Sequence, residues 1–222
     1  MPLVKRIRTK LKPYFKPYYQ PIYPSLRKLA DIVTLTRPNE QWTRVVMDRE
    51  TLKLIEAINP EKLDVLEISG DDWGRKLPFK SYESLHYPAF DICCSIVPKK
   101  YDLIIAEQVL EHVLWPYKAV KNVIQMLNPS GYFLITLPFL IRYHGCPDDC
   151  SRWTETGLRY FLAECGFPLE STVTGSWGNR SCVVSNFHKW TRYRPWQHSL
   201  KNDPTFPVSV WGLARNEGKG SS

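Results

Sequence analysis

The sequence predicts an α/β domain with a mostly parallel sheet and helices on both faces. Apolar runs typical of buried strands alternate along the chain with stretches of helical periodicity. This alternation favours a parallel sheet, because each helix that connects two parallel strands covers one face. Polar residues follow the predicted strands, and open parallel sheets bind ligands at the carboxyl ends of their strands. A ligand site is therefore expected along that edge.

The first part of the domain predicts a helix, a strand and a turn. Residues 41–58 have apolar residues at helical spacing, and Asn59-Pro60 ends the helix because proline cannot continue it. The apolar run 63–68 predicts the first strand, and Ser69-Gly70-Asp71-Asp72 predicts a turn directly after it. The next stretch is irregular apart from a short strand at 82–85.

The middle of the chain repeats the strand–loop–helix–strand pattern. The strand 103–106 is followed by a polar loop and by a helix over 116–127. Asn128-Pro129-Ser130-Gly131 closes this helix, because proline and glycine interrupt helical structure. Residues 132–137 then form another buried strand.

The last part predicts one more helix and two closing strands. Thr154 has the side chain of an N-cap for a helix through Glu164, and Gly166 suits its carboxyl-terminal cap. The runs 170–174 and 208–214 are the strand candidates of the tail.

The positive charge is concentrated at the amino-terminal end. Residues 1–45 contain ten Lys/Arg against two acids, which accounts for the whole net charge of +8. We therefore divide the chain into a basic aromatic arm (1–40), an α/β domain (41–215) and a flexible tail (216–222). For residues 1–24 we expect packing on the domain, with peripheral membrane contact as the alternative and nucleic acid as the less favoured partner.

The sequence has no apolar run near the roughly 18 residues of a membrane span and no signal-peptide pattern. We expect a cytoplasmic protein, with membrane-peripheral placement as the alternative. The six cysteines are then expected to be reduced. The spacing His144-x-Cys146-x3-Cys150 suits zinc, but no second Cys/His pair has ligand spacing, so we predict no metal site.

One run resembles a known family. Glu107-Gln108-Val109-Leu110-Glu111-His112-Val113 is similar to the class I S-adenosylmethionine-dependent methyltransferases, in the branch with Val-Leu-Glu-His after the fourth strand. The resemblance extends from about Leu63 to Phe167. It implies a Rossmann-like, doubly wound sheet of the seven-strand type, S-adenosylmethionine as the cofactor, and a methyltransferase-like domain at 41–215.

The resemblance also implies a set of cofactor-binding residues. Glu67 matches the family's acid and Gly70 one of its glycines, while Asp91 would hold the adenine amino group, with Glu83 as an alternative acid for the ribose. Carboxylates favour the cationic amino and sulfonium groups, and the incomplete glycine pattern argues against a dinucleotide. The cofactor-binding set is Glu67, Ser69, Gly70, Asp71, Asp91, Ile92, Glu107 and Gln108.

A second set of residues is implied for catalysis and acceptor binding. The run from Tyr143 to Thr154 resembles the segment that covers the acceptor pocket in a subset of the family. His144 is the first candidate for general base, because histidine titrates near neutral pH; an ordinary loop histidine is the alternative. The catalytic candidates are His144, His112 and Glu107, and the substrate candidates are Tyr143, Asp149, Arg152 and Trp153. A pair between Asp149 and Arg152 that fixes the loop is the alternative for those two residues.

The sequence thus predicts methyl transfer from S-adenosylmethionine to an oxygen or nitrogen of a small or medium acceptor. The cofactor supplies the methyl group, and the protein supplies alignment and excludes water. One alternative is a catalytically inactive, methyltransferase-like binding or scaffold protein, which the incomplete first loop favours. The other is a methyltransferase recruited to a membrane surface by the arm. The acceptor and the oligomeric state stay open.

Overall fold

The computed structural model describes residues 40–145 and 147–218. The predictions for the arm, for Cys146 and for the last four residues lie outside this part of the chain. The helices are α1 (Val45–Glu56), α2 (Trp73–Lys76), α3 (Pro116–Met126), α4 (Glu155–Cys165) and α5 (Arg180–His188), and the strands are β1 (Asp64–Ile68), β2 (Ser81–Leu85), β3 (Tyr101–Glu107), β4 (Leu127–Pro138), β5 (Thr172–Trp177) and β6 (Ser209–Arg215). No described helix is long and apolar enough to cross a membrane.

The strands form one sheet in the order β2-β1-β3-β4-β6-β5. Neighbours from β2 to β4 pair in parallel, and β6 runs antiparallel to both β4 and β5. This arrangement confirms the mostly parallel α/β fold. The described residues form six strands, one fewer than the predicted type.

Helices cover both faces of the sheet. On one face Val120 of α3 and Leu162 of α4 belong to the same buried cluster as Ile104 and Phe133. On the other face Ile55 of α1 packs in a cluster with strand residues of β1, β3 and β4. Burial from both sides explains why β3 is an almost continuous apolar run and does not alternate.

Local signals placed the ends of two helices correctly. The Thr154 hydroxyl accepts the Gly157 N–H at 3.0 Å, and Gly166 ends α4 with a φ of 122°. The helix α3 ends at Met126, directly before Asn128-Pro129-Ser130-Gly131, as predicted; β4 already begins at Leu127, and these four residues form an irregularity between the Tyr101–Leu127 and Leu103–Tyr132 pairs.

A smaller core lies beside the sheet, under the segment that connects α5 to β6. It contains Trp42, Trp177 and Trp211, and the Trp177 indole N–H donates to the Leu200 carbonyl at 3.0 Å. The sequence did not predict α5, whose N-cap Asn179 accepts the Cys182 N–H at 2.9 Å. This core holds the 190–208 segment against the carboxyl edge of the sheet.

Candidate active site

The turn after β1 is organised by the buried carboxylate of Glu67. Its Oε2 accepts the backbone N–H of Trp73 at 3.0 Å and the hydroxyl of Tyr82 at 2.5 Å. Burial and this carboxylate together raise the pKa of Tyr82. A Cβ at Gly70 would lie 2.9 Å from Glu67 Cδ and closer still to Oε1, so the turn requires glycine. Ser69, with a φ of 56°, and Asp71 lie on the exposed side of the turn.

Glu107, at the end of β3, is joined to two other elements. Its Oε2 accepts the indole N–H of Trp73 at 2.8 Å, and its carboxylate forms an ion pair with Arg44. Lys76 lies 4.0 Å from the same carboxylate and above the Trp73 ring, where burial lowers the pKa of Lys76. The sequence analysis did not predict that Arg44 and Trp73 contact Glu107. One signal pointed to Trp73: it is a large aromatic residue in a loop where the family usually has small residues.

Gln108 lies at the same edge, in the pocket described below. Its φ is 56°, and its backbone N–H donates to the Thr136 carbonyl at 3.0 Å. Its side-chain amide reaches the Thr136 hydroxyl at 3.3 Å. The left-handed backbone turns the chain away from the sheet at the end of β3, as Ser69 does at the end of β1.

The adenine candidates follow β2. Asp91 Oδ1 accepts the Cys93 N–H at 2.8 Å, and Ile92 is buried. Ser84, near the end of β2, donates its hydroxyl to the Gly70 carbonyl. The loop that follows β2 therefore begins beside the turn after β1. Glu83, the alternative ribose acid, binds Tyr101 at 2.8 Å and Lys99 at 3.2 Å, near the amino-terminal end of β3. Glu83 therefore lies away from the edge where the cofactor is expected.

Glu111 is the most unusual side chain of the site. It is fully buried, and neither of its carboxylate oxygens has a hydrogen-bond partner among the described residues. Burial raises the pKa of Glu111 to about 7. Its backbone carbonyl accepts the Cys150 N–H at 2.7 Å, which ties the turn after β3 to the 147–152 loop. The sequence placed Glu111 at this edge without assigning it a role.

His112 and His144 face Glu111. His112 Nδ1 lies 2.5 Å from the Asp148 carbonyl oxygen, which can only accept, so Nδ1 carries the proton and Nε2 is free to accept. That Nε2 is 3.7 Å from Glu111 Oε1. The two imidazole rings meet edge to face with centroids 5.1 Å apart. The fold thus brings both histidine candidates together.

Asp149 fixes the position of His144. Its Oδ2 accepts the His144 backbone N–H at 2.9 Å and an Arg152 N–H at 2.6 Å, and it lies 3.4 Å from His144 Nδ1. Burial opposes ionisation of Asp149, but the bonds to Arg152 and His144 hold its pKa below the usual range. Burial lowers the pKa of His144, against the attraction of Asp149. The Asp149–Arg152 pair anticipated as an alternative is therefore present.

A pocket of about 260 Å³ lies between the ends of β3 and β4 and the start of β6. It contains His112, His144, Gln108 and Glu111. The other lining residues are Gln41, Thr43, Arg44, Met47, Pro138, Ile141, Trp190, Val208 and Ser209. Those from 41–47 and from Trp190 onward were not predicted, since they reach the pocket only through tertiary packing.

All four predicted substrate residues, Tyr143, Asp149, Arg152 and Trp153, lie outside the lining of this pocket. Tyr143 is 74% exposed, and Trp153 packs on Phe161 with ring centroids 4.9 Å apart. Their roles in acceptor binding stay predictions. Asp149 and Arg152 act on the pocket through His144.

Comparison with known proteins identifies the family of the chain. The sequence profile of a family described as a methyltransferase domain matches residues 39–167. The chain belongs to this family, which confirms the resemblance to the class I S-adenosylmethionine-dependent methyltransferases and S-adenosylmethionine as the cofactor. No curated protein sequence matches the chain.

Solved structures share the fold at low sequence identity. The CurJ carbon methyltransferase is 15% identical with a TM-score of 0.50, over 87% of this chain and 58% of that one. The Haemonchus contortus phosphoethanolamine N-methyltransferase 2 is 10% identical with a TM-score of 0.50, over 77% and 53%. An S-adenosylmethionine-dependent methyltransferase from Mesorhizobium loti is 14% identical with a TM-score of 0.47, over 73% and 96%. At these identities the likeness concerns the fold alone.

Proposed function

We propose that this protein transfers a methyl group from S-adenosylmethionine to an oxygen or nitrogen of a small or medium acceptor. The observation that carries the proposal is the pocket containing Glu111, His112 and His144, at the carboxyl edge of the sheet. Ligands of open parallel sheets bind at this edge. The pocket volume suits an acceptor of modest size.

The loops beside the pocket fit the cofactor. The glycine-only turn at Gly70 lets a ligand approach the backbone closely, because no side chain stands in the way. Ser69 and Asp71 are exposed on this turn, and Gln108 follows the neighbouring strand. Ser69, Gly70, Asp91, Ile92 and Gln108 are the residues we assign to the cofactor. The bound cofactor supplies the methyl group that is transferred.

The pocket residues supply the groups that an acceptor needs. Burial lowers the pKa of His144 and so favours its neutral form, which can accept a proton from a bound hydroxyl or ammonium group. Asp149 holds the ring in place through Nδ1. Alignment of the acceptor and exclusion of water are the remaining contributions of the protein.

Calorimetric titration with S-adenosylmethionine and S-adenosylhomocysteine tests the cofactor part of this proposal. We expect binding by the full chain and a loss of affinity in Asp91→Ala. Asp203→Ala is the matched control, because Asp203 Oδ1 also accepts the N–H two residues ahead, at 3.1 Å from Thr205. Absence of binding by the unchanged protein would instead support the inactive, scaffold alternative.

Turnover is tested separately on a panel of alcohols, phenols and primary amines, with release of S-adenosylhomocysteine as the readout. We expect one acceptor class to be methylated and the rate to fall in His144→Gln. His188→Gln is the control, since His188 is an exposed histidine outside the pocket lining. An equal rate in both variants would exclude His144 as the base.

A further inference from the structure

We propose that Glu111, His112 and His144 form a binding site for a divalent transition-metal cation in the pocket. Each residue offers one ligand atom, and the three atoms all lie within 4.8 Å of one another. The sequence predicted no metal at this place. The cation's role at the acceptor rests on the proposed function, but its binding does not.

The ligand set defines the kind of cation. Two imidazole nitrogens and one carboxylate oxygen suit zinc and iron in preference to magnesium or calcium, which favour oxygen ligands alone. Three protein ligands leave at least one coordination position open, as in catalytic metal sites. The open position would face the cavity that all three residues line.

The state of Glu111 points independently to a ligand. Its side chain is fully buried, it lines the pocket, and both carboxylate oxygens lack a hydrogen-bond partner among the residues that the structure describes. A buried carboxylate without a partner is costly, and coordination to a cation is one of the few ways to satisfy it. A carboxylate retained only for packing would be expected to have a hydrogen-bond donor beside it.

The surroundings of both histidines match those of metal ligands. Metal-bound histidines usually direct their second ring nitrogen at a backbone carbonyl or a carboxylate, which fixes the ring. His112 directs Nδ1 at the Asp148 carbonyl, at 2.5 Å, and leaves Nε2 toward Glu111. His144 Nδ1 lies 3.4 Å from the Asp149 carboxylate and also 3.4 Å from Arg152 Nη2. The charge of Arg152 is balanced by its ion pair with Asp149.

The cation would act as a Lewis acid toward the acceptor. A metal ion in a pocket polarises and orients an oxygen ligand. The site therefore favours acceptors that present an oxygen donor, such as a hydroxyl, over simple amines. In the metal-bound protein His144 would be a ligand, so the general-base role proposed above belongs to the metal-free protein, and the turnover assay of His144→Gln is made on chelator-treated protein.

The test uses the full chain without an affinity tag, treated with a chelator and then dialysed. Zinc chloride is titrated by calorimetry, and cobalt binding is followed by visible absorption. We expect one zinc per chain, and a loss of affinity of at least about 10- to 100-fold in both Glu111→Gln and His144→Gln, the loss seen even for outer-shell partners. His188→Gln should bind like the unchanged protein. Circular dichroism verifies that each variant is folded.

Three results would overturn the proposal. The first is the absence of stoichiometric zinc binding by the unchanged chain. The second is equal affinity in the site variants and in the His188 control. The third is loss of binding in Cys150→Ser together with retention in Glu111→Gln, which would place the cation on a thiolate. A parallel titration with S-adenosylmethionine distinguishes this failure from failure of the proposed function, because cofactor binding does not involve these three residues.

Discussion

Gly70→Ala is the substitution whose effect the structure defines best. A Cβ at this position would lie 2.9 Å from Glu67 Cδ and closer to Oε1, so the carboxylate must move. Glu67 holds the Trp73 N–H and the Tyr82 hydroxyl, and a hydrogen bond to a charged group contributes about 1.5–3 kcal/mol. Loss of both bonds would therefore lower the free energy of unfolding by about 3–6 kcal/mol.

Chemical denaturation with a double-mutant cycle measures this effect. In a Glu67→Ala background the obstacle is absent, and the backbone of Gly70 has no positive φ, so Gly70→Ala should then cost less than about 1 kcal/mol. Gly212→Ala is the control, because its Cβ would meet Leu158 at an ordinary 3.4 Å. The reasoning is refuted if Gly70→Ala costs the same in both backgrounds.

Three further predictions concern pH, a buried indole and the arm. Burial raises the pKa of Glu111 from 4.5 to about 7, so the free energy of unfolding of the metal-free wild type should fall by up to about 3 kcal/mol as the pH rises from 4.5 to 7. Urea unfolding should show no such fall in Glu111→Gln. Parallel curves of stability against pH for the two proteins would contradict this. Trp73→Phe removes the N–H donor to Glu107 and should cost at least about 1.5 kcal/mol by the same assay, with an unchanged free energy as the opposing result. Under the alternative in which the arm contacts a membrane, deletion of residues 1–40 should abolish sedimentation with anionic liposomes and retain binding of S-adenosylmethionine; unchanged sedimentation would exclude the arm as the membrane contact.

The sequence predicted the two histidines of the candidate site correctly, but it did not predict the contacts of Glu107. His112 and His144 were singled out by residue type and by resemblance, and the fold does bring them together. Glu107 was expected to be an available catalytic or cofactor residue, whereas Trp73 and Arg44 occupy its carboxylate. No local sequence pattern predicts the contact between Arg44 and Glu107, because Arg44 precedes α1 and is distant from Glu107 in sequence.

The sequence by itself determined the features that depend on near neighbours. The α/β order, the buried run of β3, the Thr154 cap and the Gly166 end of α4 all follow from periodicity or from hydrogen bonds within a few residues. Such features need no knowledge of distant segments.

Only the tertiary structure decided the features that depend on which segments meet. The helix α5 is mainly polar, and its buried face exists because the Trp177 core lies beside it. Likewise, the burial of Glu111 and the lack of hydrogen-bond donors to its oxygens among the described residues follow only from tertiary packing. Burial and partner choice are set by contacts between distant parts of the chain, and the free energy of a buried charge depends on them more than on the residue's own neighbours.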